Sequence, residues 1–224
     1  MDDLSRITEL SLIYSFFAYL IGSIPSGYIF GKLRGIDIRQ HGSGNIGATN
    51  VWRVMGKGWG TLTFAFDFSK VFLAAFIKDY SKSWLPLPPT PWEASLLDIF
   101  LLLGAVVGHN YPVWLKFKGG KGIATSAGGL LWLMPQAFLV VTITWIIVFS
   151  IFRYVSLASI VSAIVLPLSI LALDPKNFLL LAFSSFLSGM AIWRHRANIE
   201  RLMTGTEHQW KRNKKVKTSE GNHP

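Results

Sequence analysis

The sequence contains no cysteine, and only 15% of its 224 residues are charged. Without cysteine the chain can form no disulfide scaffold, no thiolate metal site and no thiol nucleophile. A soluble domain carries about 25% charged residues, so this chain is too apolar for an ordinary cytosolic protein. Its hydrophobic content of 51% also excludes a disordered or collagen-like chain.

Acidic residues are scarce as well. The chain has 12 Asp and Glu against 22 Lys and Arg, which gives a formal net charge of +10. A basic excess of this kind predicts an anionic partner, which can be nucleic acid, anionic lipid or an anionic substrate. The positions of the charges along the chain decide between these.

Long uncharged runs dominate the sequence and predict an all-α, polytopic membrane protein. A helix needs roughly 20 residues to cross about 30 Å of hydrocarbon. The run 122–152 is longer than one span, and Pro135 divides it because proline often begins a helix. A five-span model that takes this run as one long helix breaks the charge parity described below unless another segment is re-entrant. The acidic start of the chain favours a retained first span over a cleaved signal peptide. We therefore predict seven transmembrane helices, at 10–30, 61–77, 96–115, about 119–134, 136–152, 156–173 and 178–193.

The basic residues predict how these spans are oriented. Seventeen of the 22 Lys and Arg fall in one set of loops and in the carboxyl-terminal tail, and four fall in the opposite set. Since cytoplasmic loops are enriched in Lys and Arg, the amino terminus is expected outside and the carboxyl terminus in the cytoplasm. We expect one integral-membrane domain at 1–207 and a basic cytoplasmic tail at 208–224. The tail is read as a topology anchor or a contact with anionic lipid, not as a nucleic-acid site.

Two glycine-rich segments on the predicted cytoplasmic face are typical of anion sites. Glycine lets successive backbone N–H groups converge on a cluster of oxygens, and a following helix start adds its positive end. Tight turns between membrane helices are the alternative, but a cation accompanies each segment and favours two anionic groups or two ends of one ligand. The candidate phosphate-binding residues are Gly42, Gly44, Asn45, Gly47, Arg53, Gly119, Gly120, Lys121 and Gly122.

Other patterns are set aside or left open. The G-x-G-x-x-G spacing at 42–47 lacks the preceding strand that a dinucleotide site requires, and 119–122 lacks the Ser or Thr of a Walker A loop. The histidines lack metal-like spacing, so no metal is expected. Asp67 and Lys70 lie inside a predicted span, where charges are expensive. They are either functional or a mutual ion pair with Lys70 reaching toward the interface.

Three segments together resemble a known family. They are 41–53 (HGSGNIGATNVWR), 108–112 with 117–125 (GHNYP and FKGGKGIAT), and 155–159 with 195–207 (VSLAS and HRANIERL…GTE). In this order and spacing they resemble the PlsY family, the bacterial membrane glycerol-3-phosphate acyltransferases that use acyl-phosphate. Residues 22–26 and 67–70 also look like family features. The resemblance covers residues 20–207.

The resemblance implies a seven-helix enzyme of the bacterial inner membrane whose site opens to the cytoplasm. It implies acyl transfer from acyl-phosphate to glycerol 3-phosphate, giving 1-acylglycerol 3-phosphate, an early step of phospholipid synthesis. Acyl-CoA and acyl-carrier protein would not be direct donors, and no cofactor is expected. Expected partners are the two substrates, membrane lipid and the peripheral enzyme that makes acyl-phosphate. The implied catalytic positions are Ser43, His195 and Asn198, and the other substrate-binding candidates are Asn50, His109, Ser156, Ser159 and Glu207.

The chemistry of these residues suits two phosphorylated substrates. Arg53 and Lys121 are expected to hold phosphate oxygens, with the 119–122 loop on glycerol phosphate and the 42–47 loop on acyl-phosphate. Ser43 could be a nucleophile, but without an evident base we favour it as a hydrogen-bond donor. The proton acceptor is either His195 or the leaving phosphate. The chief rival function is a transporter for a phosphorylated solute, whose binding groups would lie near the midplane in paired repeats. A lipid-binding scaffold is a third, and it leaves the paired glycine loops unexplained.

Overall fold

The computed structural model describes residues 3–81 and 91–210, and this part of the chain folds almost entirely into helices. Predicted features at 82–90 and in the tail beyond residue 210 lie outside the described residues. The helices are α1 (Asp3–Ser23), α2 (Ser26–Leu33), α3 (Ala48–Met55), α4 (Lys57–Tyr80), α5 (Pro91–Asn110), α6 (Ile123–Leu133), α7 (Pro135–Phe152), α8 (Val155–Leu173), α9 (Phe178–Arg194) and α10 (Arg196–Met203).

Five stretches among the described residues are long and apolar enough to cross a membrane, and α9 with α10, bent by 57°, adds a sixth. Each of the seven predicted spans has a helix, but α6 has 11 residues and reaches only about 16 Å. The predicted 119–134 helix is therefore wrong in length, since residues 119–122 form an irregular loop instead. The predicted boundary at Pro135 is confirmed, because α6 ends at Leu133 and α7 begins at Pro135.

The first predicted span, 10–30, is broken where Pro25 follows α1. Lys70 of α4 donates to two carbonyls at the break: its Nζ lies 3.1 Å from Gly22 O and 2.7 Å from Ile24 O. Asp67 lies 2.8 Å from Lys70 Nζ and accepts from Ser26 Oγ at 2.7 Å. The pair thus joins α4 to both sides of the break. Lys70 is 6% exposed, so it does not reach toward the interface as one reading of the sequence proposed.

Small residues bring α1 and α5 into close contact. A Cβ at Gly22 would collide with the backbone of Ala105, and one at Gly104 or Gly108 would collide with the α1 backbone. Small residues at helix contacts are the usual means of close packing between membrane helices. The outward faces carry large exposed apolar side chains instead, including Phe16, Phe76, Ile147, Leu168 and Phe178. A helical bundle with such close helix contacts and an apolar exterior is suited to lipid.

Candidate active site

One large cavity, of about 1170 Å³, lies between α6 and α7 and extends to α3, α4, α8 and α9. It brings together the predicted residues of all three sequence segments. Those that line it are Gly42, Ser43, Asn45, Gly47, Asn50, Arg53, His109, Lys121, Gly122, Ser156, Ser159, His195, Asn198 and Glu207. Gly44, Gly119 and Gly120 do not line it.

The 42–47 loop is fastened by the buried side chain of Asn50. Its Nδ2 donates to the carbonyls of Ile38, His41 and Asn45, and its Oδ1 accepts from Ser43 N at 2.8 Å. Gly42 has a φ of +61°, and a Cβ there would collide with Asn50. Asn50 therefore shapes the loop, and its polar atoms are already engaged.

The 119–122 loop is held by the end of α5. Gly119 N donates to Asn110 O at 3.2 Å and Gly120 N donates to His109 O at 3.0 Å. Arg194 donates to the carbonyls of both glycines. These two N–H groups therefore stabilise the loop and do not face the cavity. From this segment Lys121 and Gly122 line the cavity, and Lys121 brings a positive charge to it.

Three cations surround the polar end of the cavity: Arg53, Lys121 and Arg201. Among the described residues, the buried Nε of Arg53 has no hydrogen-bond partner. Burial lowers the pKa of Arg53, and burial also lowers that of Lys121, to about 8, against the raising influence of Glu207. Positive charge that is concentrated in a partly desolvated region favours the binding of an anion.

Glu207 is the acidic centre of the site. Its Oε1 accepts from Ser156 Oγ and from Asn198 Nδ2, each at 2.8 Å, and its Oε2 accepts from Arg201 Nε at 2.8 Å. Burial raises the pKa of this carboxyl, but the three donors outweigh burial and the pKa is lowered overall. The Oδ1 of Asn198 also accepts a hydrogen bond from Lys121. The network connects the 119–122 loop, α8, α10 and the segment after α10.

His195 lies at the bend between α9 and α10 and is 3% exposed. Its Nδ1 lies 2.8 Å from Ala191 O, and since a carbonyl only accepts, Nδ1 carries the proton. Burial lowers the pKa of His195 to about 4, and the charge of Lys121 lowers it as well. The imidazole is therefore neutral near pH 7 and has an Nε2 lone pair available.

The two predicted serines of α8, Ser156 and Ser159, differ in their surroundings. Ser156 belongs to the Glu207 network, whereas Ser159 Oγ donates to Val155 O within its own helix and lies 3.2 Å from Trp145 Nε1. Among the described residues, no imidazole or carboxylate is hydrogen-bonded to the Ser43 hydroxyl, and no group of three His, Cys, Asp or Glu could hold a metal.

Several residues of the site were not predicted. Arg194 and Arg201 flank the predicted His195 and Asn198, and this proximity was the available signal. His109, which was predicted as a substrate contact, lines the cavity, and its Nδ1 lies 3.5 Å from Asp67 Oδ1. No sequence pattern marked Trp145 or the apolar residues of α6, α7 and α8 as site residues, because any membrane helix carries such side chains.

Comparison with known proteins identifies the family. The family described as glycerol-3-phosphate acyltransferase matches residues 12–205. The chain belongs to this family. The glycerol-3-phosphate acyltransferase of Desulforudis audaxviator is 42% identical over 85% of this chain and 90% of that protein. The one of Staphylococcus aureus is 44% identical over 85% of this chain and 93% of that protein.

Solved structures agree with this assignment. A crystal structure of PlsY (YgiH), an integral membrane glycerol 3-phosphate acyltransferase, in its glycerol 3-phosphate form, is 42% identical and has a TM-score of 0.77. The alignment covers 90% of this chain and 96% of that one. The lysophosphatidic acid form gives a TM-score of 0.74. This member of the PlsY family is thus an acyltransferase and a multi-pass membrane protein.

Proposed function

We propose that this protein transfers a fatty acyl group from acyl-phosphate to glycerol 3-phosphate, giving 1-acylglycerol 3-phosphate and phosphate. The observation that carries the proposal is the polar end of the cavity, where Arg53, Lys121 and Arg201 meet and the buried Nε of Arg53 lacks a partner. The relatives named glycerol-3-phosphate acyltransferase support the acceptor, and the lysophosphatidic acid form of PlsY supports the product. The acyl-phosphate donor rests on the sequence resemblance and on the number of cations.

Side chains, more than backbone amides, would hold the two phosphates. The amides of Gly119 and Gly120 donate to carbonyls at the end of α5. Those of Ser43, Gly44 and Gly47 are also engaged, with Asn50 Oδ1, His41 O and Asn45 Oδ1. We assign the phosphate of glycerol 3-phosphate to Lys121. The phosphate of the donor is assigned to Arg53 and the hydroxyl of Ser43, because Arg53 follows the 42–47 loop on α3.

The proposed reaction is direct transfer. The 1-hydroxyl oxygen of glycerol 3-phosphate attacks the acyl carbonyl carbon, and the bond from that carbon to the bridging phosphate oxygen breaks. The electron pair leaves with phosphate, and the hydroxyl proton passes to His195 Nε2 or to the leaving phosphate. Because acyl-phosphate is already activated, positioning and charge stabilisation are the main requirements. The lack of a base at Ser43 argues against an acyl-serine intermediate.

The topology proposed for the protein has seven spans in one domain at 1–207, followed by a basic tail at 208–224. It counts α6 as the fourth span despite its length, which keeps the cation-rich segments on one face. We place that face, and with it the site, in the cytoplasm of a bacterial inner membrane, with the amino terminus outside. The enzyme that makes acyl-phosphate would then approach from the same side.

The test is an assay with purified protein, synthetic acyl-phosphate and labelled glycerol 3-phosphate. We expect one phosphate released for each labelled acylglycerol phosphate formed, and no product with acyl-CoA or acyl-carrier protein as donor. The variant Lys121→Ala should raise the KM for glycerol 3-phosphate with little change in the KM for the donor. An unchanged KM would refute the assignment of Lys121, and acyl label trapped on the protein would refute direct transfer.

A further inference from the structure

Besides its polar end, the cavity has an apolar part, which extends along the helices toward the interior of the membrane. On α8 the lining residues run from Val155 and Ser156 through Ser159 and Ala163 to Leu166. At about 1.5 Å per residue, the distance from Val155 to Leu166 is about 16 Å. Half of a hydrocarbon core of about 30 Å is about 15 Å, so the whole cavity, from its polar end to Leu166, is about as deep as one leaflet.

At the inner end of the apolar part, beside Phe68 of α4, four other helices contribute lining residues. They are Leu130 of α6, Phe138 of α7, Leu166 of α8 and Leu187 of α9. Leu166 is 4% exposed and Leu187 is 2% exposed, and both belong to one buried cluster. These four side chains form what we call the floor of the cavity.

Beneath the floor the helices are packed without further lining residues. Ile170, one turn farther along α8, contacts the same buried cluster, which also contains Met134 and Phe183. Met134 joins α6 to α7, so the two helices that enclose the cavity meet at this level. Beyond the floor the apolar part is therefore followed by buried, packed side chains.

We propose that the floor, with Leu166 as its central residue, sets the longest acyl chain that the enzyme accepts. The inference rests on the proposed function, since it assigns the apolar part to the acyl chain of the donor. A chain that fits gains affinity with each methylene buried, about fourfold for each. A longer chain meets packed side chains, and forcing extra methylenes into such a region is costly. A cavity open to lipid at its inner end would impose no such limit.

Two opposite substitutions on α8 test the proposal. Leu166→Ala removes three carbon atoms from the floor and should extend the accepted chain by about two to three carbons. Ala163→Leu adds three carbon atoms one turn nearer the polar end and should shorten the chain by a similar amount. The matched controls are Leu168→Ala and Ala172→Leu, on exposed positions of the same helix. They should leave the chain-length profile unchanged.

The measurement is a competition among saturated acyl-phosphates of increasing length, with kcat/KM taken for each from the acylglycerol phosphates formed. For the longest chains, Leu166→Ala should raise kcat/KM relative to wild type by about tenfold or more. Profiles that coincide for wild type and both floor variants would overturn the inference, as would equal shifts in the controls. If Leu166→Ala does not fold, Ala163→Leu decides alone. Wild-type protein that acylates with no donor of any length would instead refute the proposed function.

Discussion

The side-chain amide of Asn198 donates a hydrogen bond to the carboxylate of Glu207 across 2.8 Å. The oxygen of the same amide accepts from Lys121, so Asn198 connects the acid of the site to one of its cations. An amide can serve both because its nitrogen donates and its oxygen accepts. Glu207 thereby fixes the orientation of Asn198, and Asn198 fixes the ammonium of Lys121 at the cavity.

Glu207→Gln should lower kcat/KM by about tenfold to a hundredfold, because hydrogen bonds to a charged group are worth about 1.5–3 kcal/mol. Three donors converge on the carboxylate. In the variant an amide nitrogen replaces one of its oxygens, and a nitrogen of this kind cannot accept any of these hydrogen bonds. Steady-state kinetics for both substrates measure the loss. The matched control is Glu200→Gln on the exposed side of α10, which should stay within about twofold of wild type. Equal activity of the two variants would contradict the role given to Glu207.

The pH dependence should show the titration of Lys121. Its pKa is lowered to about 8, so in the free enzyme the ammonium loses its proton, and its attraction for phosphate, as the pH rises through that value. The value of kcat/KM for glycerol 3-phosphate should therefore fall on the alkaline side of pH 8. Because kcat/KM reports the free enzyme, it is the quantity to measure.

Lys121→Arg provides the control for this alkaline limb. An arginine keeps its charge throughout the range, so a variant that retains activity should lose the decline near pH 8. The same decline in wild type and in Lys121→Arg would assign the titration to another group. A profile for wild type that stays flat through pH 8 would contradict the lowered pKa.

Gly120→Ala should damage the site although Gly120 does not line the cavity. A Cβ at this position would collide with the imidazole of His109, which lies between the loop and Asp67. Overpacking of this kind costs about 1–3 kcal/mol, and the displaced loop carries Lys121. We expect a rise of about tenfold in the KM for glycerol 3-phosphate. Gly189→Ala, in open space on α9, is the control and should be neutral; equal behaviour of the two variants would contradict the argument.

Local sequence predicted the helices well and their interruptions in part. Uncharged runs and Pro135 were enough to locate α7, α8 and α9, because length and polarity decide what can cross a bilayer. The break after α1 occurs at Pro25, within an uncharged run that was taken as one span. What stabilises that break is Lys70, 46 residues from Ile24. A contact of that kind depends on the packing of α4 against α1 and leaves no local pattern.

The candidate site was likewise predicted only in part. The sequence pointed to Arg53 and Lys121 by their residue types and to His195 and Glu207 through the family resemblance, and the structure brings the four to one cavity. It pointed to the loop glycines as phosphate ligands, yet Gly119 and Gly120 donate to the carbonyls that end α5. Whether an amide faces a ligand or a neighbouring carbonyl is decided by tertiary contacts, which a glycine-rich motif does not encode.

His195 should not titrate in the neutral range. With its pKa lowered to about 4, the imidazole is neutral from about pH 5 upward, and kcat/KM should show no titration of His195 between there and about pH 7. If its Nε2 accepts the proton, His195→Ala should lower kcat by about 10²-fold or more. The control is His41→Ala, an exposed histidine on the 42–47 loop side. An inflection near pH 6.5 that disappears in His195→Ala would contradict the lowered pKa, and an unchanged kcat would leave the leaving phosphate as acceptor.

Trp210 lies beyond the part of the chain that matches the family, yet it lines the cavity. Its ring makes edge contacts with Trp52 at 5.7 Å and with Phe149 at 6.4 Å between centroids, and its backbone N–H donates to Arg153 O at 2.8 Å. The side chain therefore ties α3, where Trp52 precedes Arg53, to the corner between α7 and α8.

Trp210→Ala should weaken binding of the acyl donor, because it removes two aromatic pairs worth about 0.5–1.5 kcal/mol each and loosens the helix that carries Arg53. We expect kcat/KM for the donor to fall about tenfold, with a smaller change in the KM for glycerol 3-phosphate. Trp210→Phe keeps an aromatic ring and should recover most of the loss, whereas Trp114→Ala, at an exposed tryptophan, should be neutral. If Trp210→Ala has wild-type kinetics for both substrates, the contact with Trp52 contributes nothing to donor binding. If instead only the KM for glycerol 3-phosphate rises, the contacts of Trp210 affect the Lys121 side of the cavity. The assignment of Arg53 to the donor phosphate is then wrong.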